Sequence, residues 1–385
     1  MNYLPLAEIH LEPLISILTE SFNQPPGKAR PWVEASGREN WRVVVDEEPV
    51  AGAMLIPMGQ WFGGRVVGMT GLAGVVVSAR ARGRGVGKRL ISSVLQEMHG
   101  EGVALSVLNA STSSFYRANG YERAGASYTV ELNLKDLRHR AGPLEIRALH
   151  NGNLKLEEQL QSESVSDHAC LSRGPYIWHR VRNPQGAEAE RFGFFAEDRL
   201  EGYVYWRRSE FQDMENELNI SDLVLVTPAA QKTFLGYLAG HRAFFSRASW
   251  DCPSSFPLLL ELEEPWHYRM SLKEHWMLRV VNLEKALTER GYPPNLSGLL
   301  ELEIADPLLS ANTGRWILEV ADGRGVVKAG GGGRLKLDIN SLPPLYSGFL
   351  SARQLARAGR LEGAPEQIAL ADELFAGEPR LSDFF

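Results

Sequence analysis

The chain has 385 residues, 44% of them hydrophobic and 23% charged, which at about 150 residues per domain predicts two or three globular domains rather than a disordered chain. A formal net charge of −6 argues against nucleic acid, which calls for a basic face, and suits a cationic substrate. No apolar run approaches the roughly 18 residues of a membrane helix, and Cys170 and Cys252 are too few for a disulfide framework, which points to a reducing cytoplasm.

The opening stretch, Met1 to Phe22, carries Glu8 and Glu12 inside an apolar pattern and has no basic leader or small-residue cleavage site. It predicts an amphipathic first helix rather than a signal peptide. Trp41–Asp46 and Val50–Pro57 read as strands around a Glu47-Glu48-Pro49 turn, and Gly71–Val77 reads as a buried strand. Ile91–His99 has helical spacing, Val103–Leu108 is a strand, and Thr112–Ala118 is a helix closed by Asn119-Gly120. Such alternation predicts a mixed α/β, layered α+β domain.

A faint echo follows about 150 residues later. Phe195-Ala-Glu-Asp-Arg-Leu-Glu-Gly202 repeats the pattern of Val45-Asp-Glu-Glu-Pro-Val-Ala-Gly52, and Leu223–Val226 with the residues after Thr227 repeats the later strand-then-helix layout. The echo lacks the glycines found between Val77 and Leu90. It is either a duplicated domain that has lost its ligand loop or a chance similarity of two hairpin–strand–helix units. From Val281 the texture changes: a helix at Leu283–Arg290, then strands at Leu299–Ile304, Trp316–Val320 and Arg334–Ile339. The Gly330–Gly333 run between two of these is expected to make a hairpin turn, since glycine tolerates positive φ.

The stretch richest in chemistry is Val75-Val-Val-Ser-Ala-Arg-Ala-Arg82-Gly83-Arg84-Gly85-Val86-Gly87-Lys88-Arg89-Leu90. A strand running into a glycine loop that opens a helix aims backbone N–H groups and the helix's positive end at one point, an anion site. Arg82, Arg84 and Lys88 add charge suited to a pyrophosphate. The P-loop pattern fails, because Arg82 stands where its first glycine belongs and Arg89 follows the lysine. The dinucleotide pattern fails too, because the spacing is Gly83-x-Gly85-x-Gly87. Further on, Thr112-Ser-Ser-Phe-Tyr116-Arg-Ala-Asn-Gly-Tyr121 offers two phenols, Tyr116 and Tyr121, which the sequence by itself reads as buried core aromatics. The last residues, Asp383-Phe384-Phe385, are unusually apolar for a terminus and predict a tail docked in a groove.

Arg82-x-x-Gly85-x-Gly87 after a Val-x-Val strand resembles the acetyl-CoA signature of the GNAT acetyltransferase superfamily. The resemblance implies that backbone groups of Val75, Val76 and Val77 pair with the pantetheine arm of acetyl-CoA. It also implies that N–H groups of Gly83, Arg84, Gly85, Val86, Gly87 and Lys88 cradle the pyrophosphate, with Arg82 nearby. Ser111 and Thr112 would touch the other side of the arm, and Phe-Tyr116-Arg-Ala-Asn-Gly-Tyr121 matches the superfamily with Tyr116 as the acid. A closer resemblance rests on the degenerate second copy together with Trp316-Ile-Leu-Glu-Val, Leu342-Pro-Pro-Leu-Tyr-Ser-Gly, Ala358-Gly-Arg, Leu374-Phe and the closing Asp383-Phe-Phe. The whole layout is similar to the enhanced intracellular survival (Eis) family.

That resemblance implies two GNAT-like domains, at 1–140 and 141–280, and a sterol-carrier-protein-like domain at 281–385 whose C-terminus reaches the active site. It implies N-acetylation of a cationic, aminoglycoside-like small molecule, with protein lysine or another small amine as the alternative. A non-catalytic lipid or CoA binder fits less well, because the first glycine loop is intact and the apolar strands of the third domain serve its own core. By the same resemblance the carboxylate of Phe385 is the base, the hydroxyl of Tyr116 the acid, and the assembly a hexamer. Phe384 departs from the family by carrying no acidic side chain, a place Asp383 could fill. Neither nucleic acid nor membrane is an expected partner, and no metal is expected, since His-Glu-x-x-His is absent and the histidines are scattered.

Overall fold

The computed structural model describes residues 1–138, 140–164, 168–208 and 216–385, and its first element is a strand where a helix was expected. β1 (Asn2–Pro5) pairs antiparallel with β2 (Trp41–Asp46) and forms one edge of a sheet, a place that tolerates Pro5 and its missing N–H. The amphipathic helix starts later, as α1 (Leu11–Ser21), burying Leu11, Leu14, Ile17 and Leu18 on one face. Pro13 lies in its first turn, where backbone N–H groups have no intrahelical partner to lose.

After α2 (Ala29–Ala35), β2 and β3 (Glu48–Phe62) form the expected hairpin, turning on Glu47 at φ 66°. β4 (Arg65–Val77), α3 (Val86–Gly100), β5 (Leu105–Asn109), α4 (Ser113–Arg117) and β6 (Glu122–Asn133) follow in the predicted order. The second region runs β7 (Glu145–Ala148), α5 (Leu154–Ser164), β8 (Leu171–Ser172), α6 (Pro175–Arg182), β9 (Glu190–Ala196), β10 (Arg199–Arg208), β11 (Glu217–Leu225), α7 (Pro228–Gly240), β12 (Arg247–Cys252) and β13 (Tyr268–Val280). The echo is a structural repeat. The β9–β10 hairpin turns on Glu197 at φ 56°, as the first hairpin turns on Glu47. Gly52 and Gly202 both sit at register shifts, and α7 follows β11 as α3 follows β4.

The two copies share one sheet in the order β1-β2-β3-β4-β5-β13-β6-β12-β11-β10-β9-β7. β13, the last strand of the second region, is inserted between β5 and β6 of the first, antiparallel to both. In exchange β6 reaches over to pair with β12.

The third region builds its own sheet on α8 (Leu283–Glu289). Its strands are β14 (Gly298–Ala305), β15 (Gly314–Ala321), β16 (Arg324–Ala329), β17 (Leu335–Asp338) and β18 (Glu362–Gly363), ordered β16-β15-β14-β17-β18. The Gly330–Gly333 run is not a hairpin turn. It carries the chain from edge strand β16 across the sheet to β17, which pairs parallel to β14. The Glu301 carboxylate accepts the Gly332 N–H along the way, at 2.6 Å. α9 (Leu342–Tyr346), α10 (Ala352–Arg357) and α11 (Pro365–Leu374) complete the region. Among the described residues no helix is long and apolar enough to cross a membrane.

The third region grips the first through α4. Arg279 of β13 and Asp306 form a fully buried ion pair at 2.7 Å, and Arg279 Nε donates to the Asn119 carbonyl at 3.1 Å. Asn340 donates to the carbonyls of Arg117 and Tyr121, at 2.9 and 3.0 Å.

Candidate active site

β4 and β5 are parallel neighbours only from Met69–Leu105 to Gly71–Val107. Beyond Gly71 they part. β4 runs on to Val77 with β3 as its sole strand partner among the described residues, Gly52 opposite Val76 and Ala51 opposite Val77. A register shift between Gly52 and Met54, with Gly74 at φ 58°, bends this end of β4. The backbone of Val75, Val76 and Val77 therefore presents a free strand edge to the fork between β4 and β5.

The chain then reaches the loop. Gly83 and Gly85 take φ of 73° and 76°, a region that costs other residues strain, and a side chain on either would point into open space. Arg82, Arg84 and Lys88 are exposed, while the Val86 side chain is buried and contributes only its backbone. Arg82 Nε donates to the Val77 carbonyl at 3.3 Å, folding back over the strand end. Arg84 lies 4.0 Å from Asp46, too far and too exposed to neutralise it strongly.

α3 begins at Gly85 without a side-chain cap, and its first intrahelical bond is Arg89 N–H to the Gly85 carbonyl at 3.0 Å. The N–H groups of Val86, Gly87 and Lys88 thus lack helical acceptors, and the helix dipole adds to them. The second copy handles the equivalent helix differently. Thr227 Oγ caps α7 by accepting the Ala230 N–H at 3.1 Å, and Pro228 has no N–H to offer. The α7 start is partly capped by its own chain, whereas the α3 start carries no side-chain cap.

Gly87 has a packing role besides its backbone N–H. It is helical, and a Cβ there would press on the Phe115 ring at 3.2 Å, so its small size lets α4 pack against α3. Ser111 and Thr112, both exposed, lie just before α4.

The structure separates the two tyrosines. Tyr121 is fully buried and donates its hydroxyl to Ser106 Oγ at 2.8 Å. Tyr116, 7% exposed, has no hydrogen bond to its hydroxyl among the described residues, and its ring meets those of Phe115 and Tyr121 at 5.0 and 5.9 Å. Burial pushes the Tyr116 phenol up to about 12, so it keeps its proton at neutral pH. It packs in an apolar cluster with Leu72 of β4 and Leu108 of β5.

Phe385 approaches from the opposite face. A Cβ on Gly71 would come within 2.6 Å of its ring and 2.4 Å of Met58 Cε. Because neighbouring residues of a strand face opposite ways, the Gly71 contact and the Leu72 cluster lie on opposite sides of β4. Phe385 and Tyr116 thus flank the strand from either face, at the point where it leaves β5. Asp383 does not stand free beside the terminus: it is bound by Arg173, which also holds Asp222. These two partners carry no sequence signal, since Arg173 and Asp383 are 210 positions apart.

A GNAT acetyltransferase domain model matches residues 2–124 and another matches 169–280, and a sterol carrier protein domain model matches 283–381. The crystal structure of a GCN5-related N-acetyltransferase from Anabaena variabilis is 32% identical, each chain covered in full, with a TM-score of 0.95. The chain belongs to the GCN5-related N-acetyltransferase (GNAT) family and is an N-acetyltransferase with two GNAT domains followed by a sterol-carrier-like domain. An uncharacterized N-acetyltransferase of Streptomyces avermitilis is 26% identical over 351 residues, 84% of this chain and 82% of that protein. Eis1 from Mycobacterium abscessus shares the fold, with a TM-score of 0.81 over the full length of both chains at 21% identity. Enzymes of this family generally use acetyl-CoA.

The difference between the tyrosines has a measurable consequence. Tyr116→Phe removes a hydroxyl with no bond to lose, so its urea midpoint should match the parent's. Tyr121→Phe strands buried Ser106 and should cost about 1–2 kcal/mol. Equal losses in the two variants would contradict the arrangement.

Proposed function

We propose that the protein transfers the acetyl group of acetyl-CoA to a primary amine of a cationic, aminoglycoside-like small molecule, at the fork between β4 and β5. The observation that carries the acetyl-CoA reading is the uncapped start of α3 behind the two open-faced glycines, adjoining the free edge of Val75 to Val77. A pyrophosphate suits the first feature and an extended amide arm suits the second. In this reading Gly83 to Lys88 hold the phosphates with Arg82 and Lys88 as counter-charges, and Ser111 and Thr112 border the arm. Bound there, acetyl-CoA supplies an activated thioester. The aminoglycoside class rests on the resemblance to the Eis family and on the net charge of −6. That resemblance also supports a hexamer in the cytoplasm and divisions near residues 140 and 280.

The chain's own groups then divide the proton work. The carboxylate of Phe385 takes a proton from the ammonium of the incoming substrate, freeing its lone pair for the acetyl carbon. As the carbon–sulfur bond breaks, the Tyr116 hydroxyl gives its proton to the sulfur and regains one from the attacking nitrogen, which sheds its second proton on becoming an amide. A phenol raised to about 12 is a weak acid in water, but the same apolar surroundings also raise the proton affinity of a thiolate expelled beside it.

Calorimetry tests the loop first: Gly85→Glu places a carboxylate among the anion-seeking N–H groups and should abolish acetyl-CoA binding. Retention of parental affinity would overturn the loop assignment. Free-thiol release from acetyl-CoA, followed with aminoglycosides, diamines and lysine peptides in turn, should be fastest with the aminoglycosides. Fastest release with lysine peptides would reassign the substrate to protein. With the best amine, Tyr116→Phe should lower kcat by about 10²–10⁴ with acetyl-CoA affinity intact. Two glycines appended after Phe385 should cause a comparable fall, and full activity in either variant would remove that group from the chemistry.

A further inference from the structure

The last residues of the chain are held by the second GNAT domain, the one whose helix start is sealed. Ser254 and Ser255 donate to the Glu378 carboxylate at 2.6 and 2.5 Å. The Arg380 N–H donates to the His168 carbonyl at 2.7 Å, and Cys170 Sγ lies 3.2 Å from the Arg380 carbonyl. The strongest contact comes next. Arg173, 6% exposed at its side chain, faces two buried carboxylates at once: Asp222 at 2.6 and 2.8 Å, and Asp383 at 2.7 and 3.1 Å. Its guanidinium lies 4.9 Å over the Trp178 ring, and Tyr203 donates to Asp222 at 2.9 Å.

One cation therefore holds together two anions that would otherwise repel each other. Asp222 is built into β11, so it is the tail that would leave. Asp383 is separated from Phe385 by two peptide links, about 7 Å of chain at most, so fixing one confines the other. Nothing in the proton transfers above uses Arg173 or Asp222, yet both are buried in a dedicated charge network.

We propose that Arg173 is the positioning residue of the transfer site: by bridging Asp222 to Asp383 it seats Phe385 on Gly71 and holds the terminal carboxylate at the fork. The second GNAT domain, lacking a glycine loop, serves as the receptor of the tail. This inference rests on the reading of the Phe385 carboxylate as base.

The test uses the full-length protein and two readouts. Asp383→Ala leaves Arg173 paired one-to-one with Asp222, so the fold keeps a balanced ion pair. Arg173→Met removes the bridge, and Arg173→Lys restores its charge without its two-sided fork. Hydrogen exchange over residues 376–385 should quicken in Asp383→Ala and Arg173→Met while α3 stays protected. In the same variants kcat should fall at least about tenfold, within the range of a lost general base, with KM for acetyl-CoA unchanged and Arg173→Lys recovering part of the rate. In the glycine-extended background Asp383→Ala should cause no further loss, as expected of a residue acting only through the tail. Unchanged exchange in Asp383→Ala overturns the clamp and leaves the terminal base standing. Faster exchange with undiminished kcat overturns the terminal base, and the positioning role falls with it. Should Arg173→Met fail to fold, Asp383→Ala alone decides between these outcomes.

Discussion

β4 and β5 stay paired only as far as Gly71 and Val107, and the candidate site depends on what that parting leaves behind. A strand that loses its neighbour inside a sheet exposes backbone donors and acceptors, which is normally costly unless something pairs with them. Here the register shift at Gly52–Met54 and the left-handed Gly74 turn β4 away, so the exposed edge borders a fork rather than a void. Tyr116 and Phe385 pack on opposite faces of β4 where this fork opens.

The third region matters to the site through α4. This helix has only five residues and would be marginal on its own. Its closing carbonyls are instead taken by Asn340 and by Arg279, whose charge is balanced by fully buried Asp306. Asp306 in turn accepts from Asn312 and from the N–H groups of Leu308 and Leu309, so the buried carboxylate is well satisfied. Removing one partner of such a pair typically costs about 3–5 kcal/mol. The sterol-carrier-like domain thereby fixes the tyrosine-bearing helix from one side, while its own final residues arrive from the other.

Much of the first domain was legible because its signals are local. Gly83 and Gly85 were recognisable as loop residues from their spacing after a valine strand, and both adopt the positive φ that glycine permits. The echo at Phe195–Gly202 was legible because a hairpin turn imposes the same local demand twice, at Glu47 and Glu197. Tyr116 and Tyr121 could not be told apart by spacing alone; the Ser106 hydroxyl that engages Tyr121 lies on a neighbouring strand. The misses are of the same kind. The N-terminal strand exists only because β2 offers an edge, and the Gly330–Gly333 crossover is set by which strand β17 pairs with. β16, with the sequence Arg-Gly-Val-Val-Lys-Ala, carries too few apolar residues to announce itself. The exchange of β13 and β6 between copies left no trace in local pattern at all.

That exchange bears on how the protein is made. β5, one wall of the fork, gains its second neighbour only through residues 276–280. While the chain is being synthesised, the first domain emerges complete in sequence but with a gap in its sheet, and β5 remains an unprotected edge until β13 has left the ribosome. Pairings this distant in sequence are slow to form, and an open edge invites association with other chains in the interval. The second copy, though it has no glycine loop, cannot be removed without opening the first, because its last strand is part of the first copy's sheet.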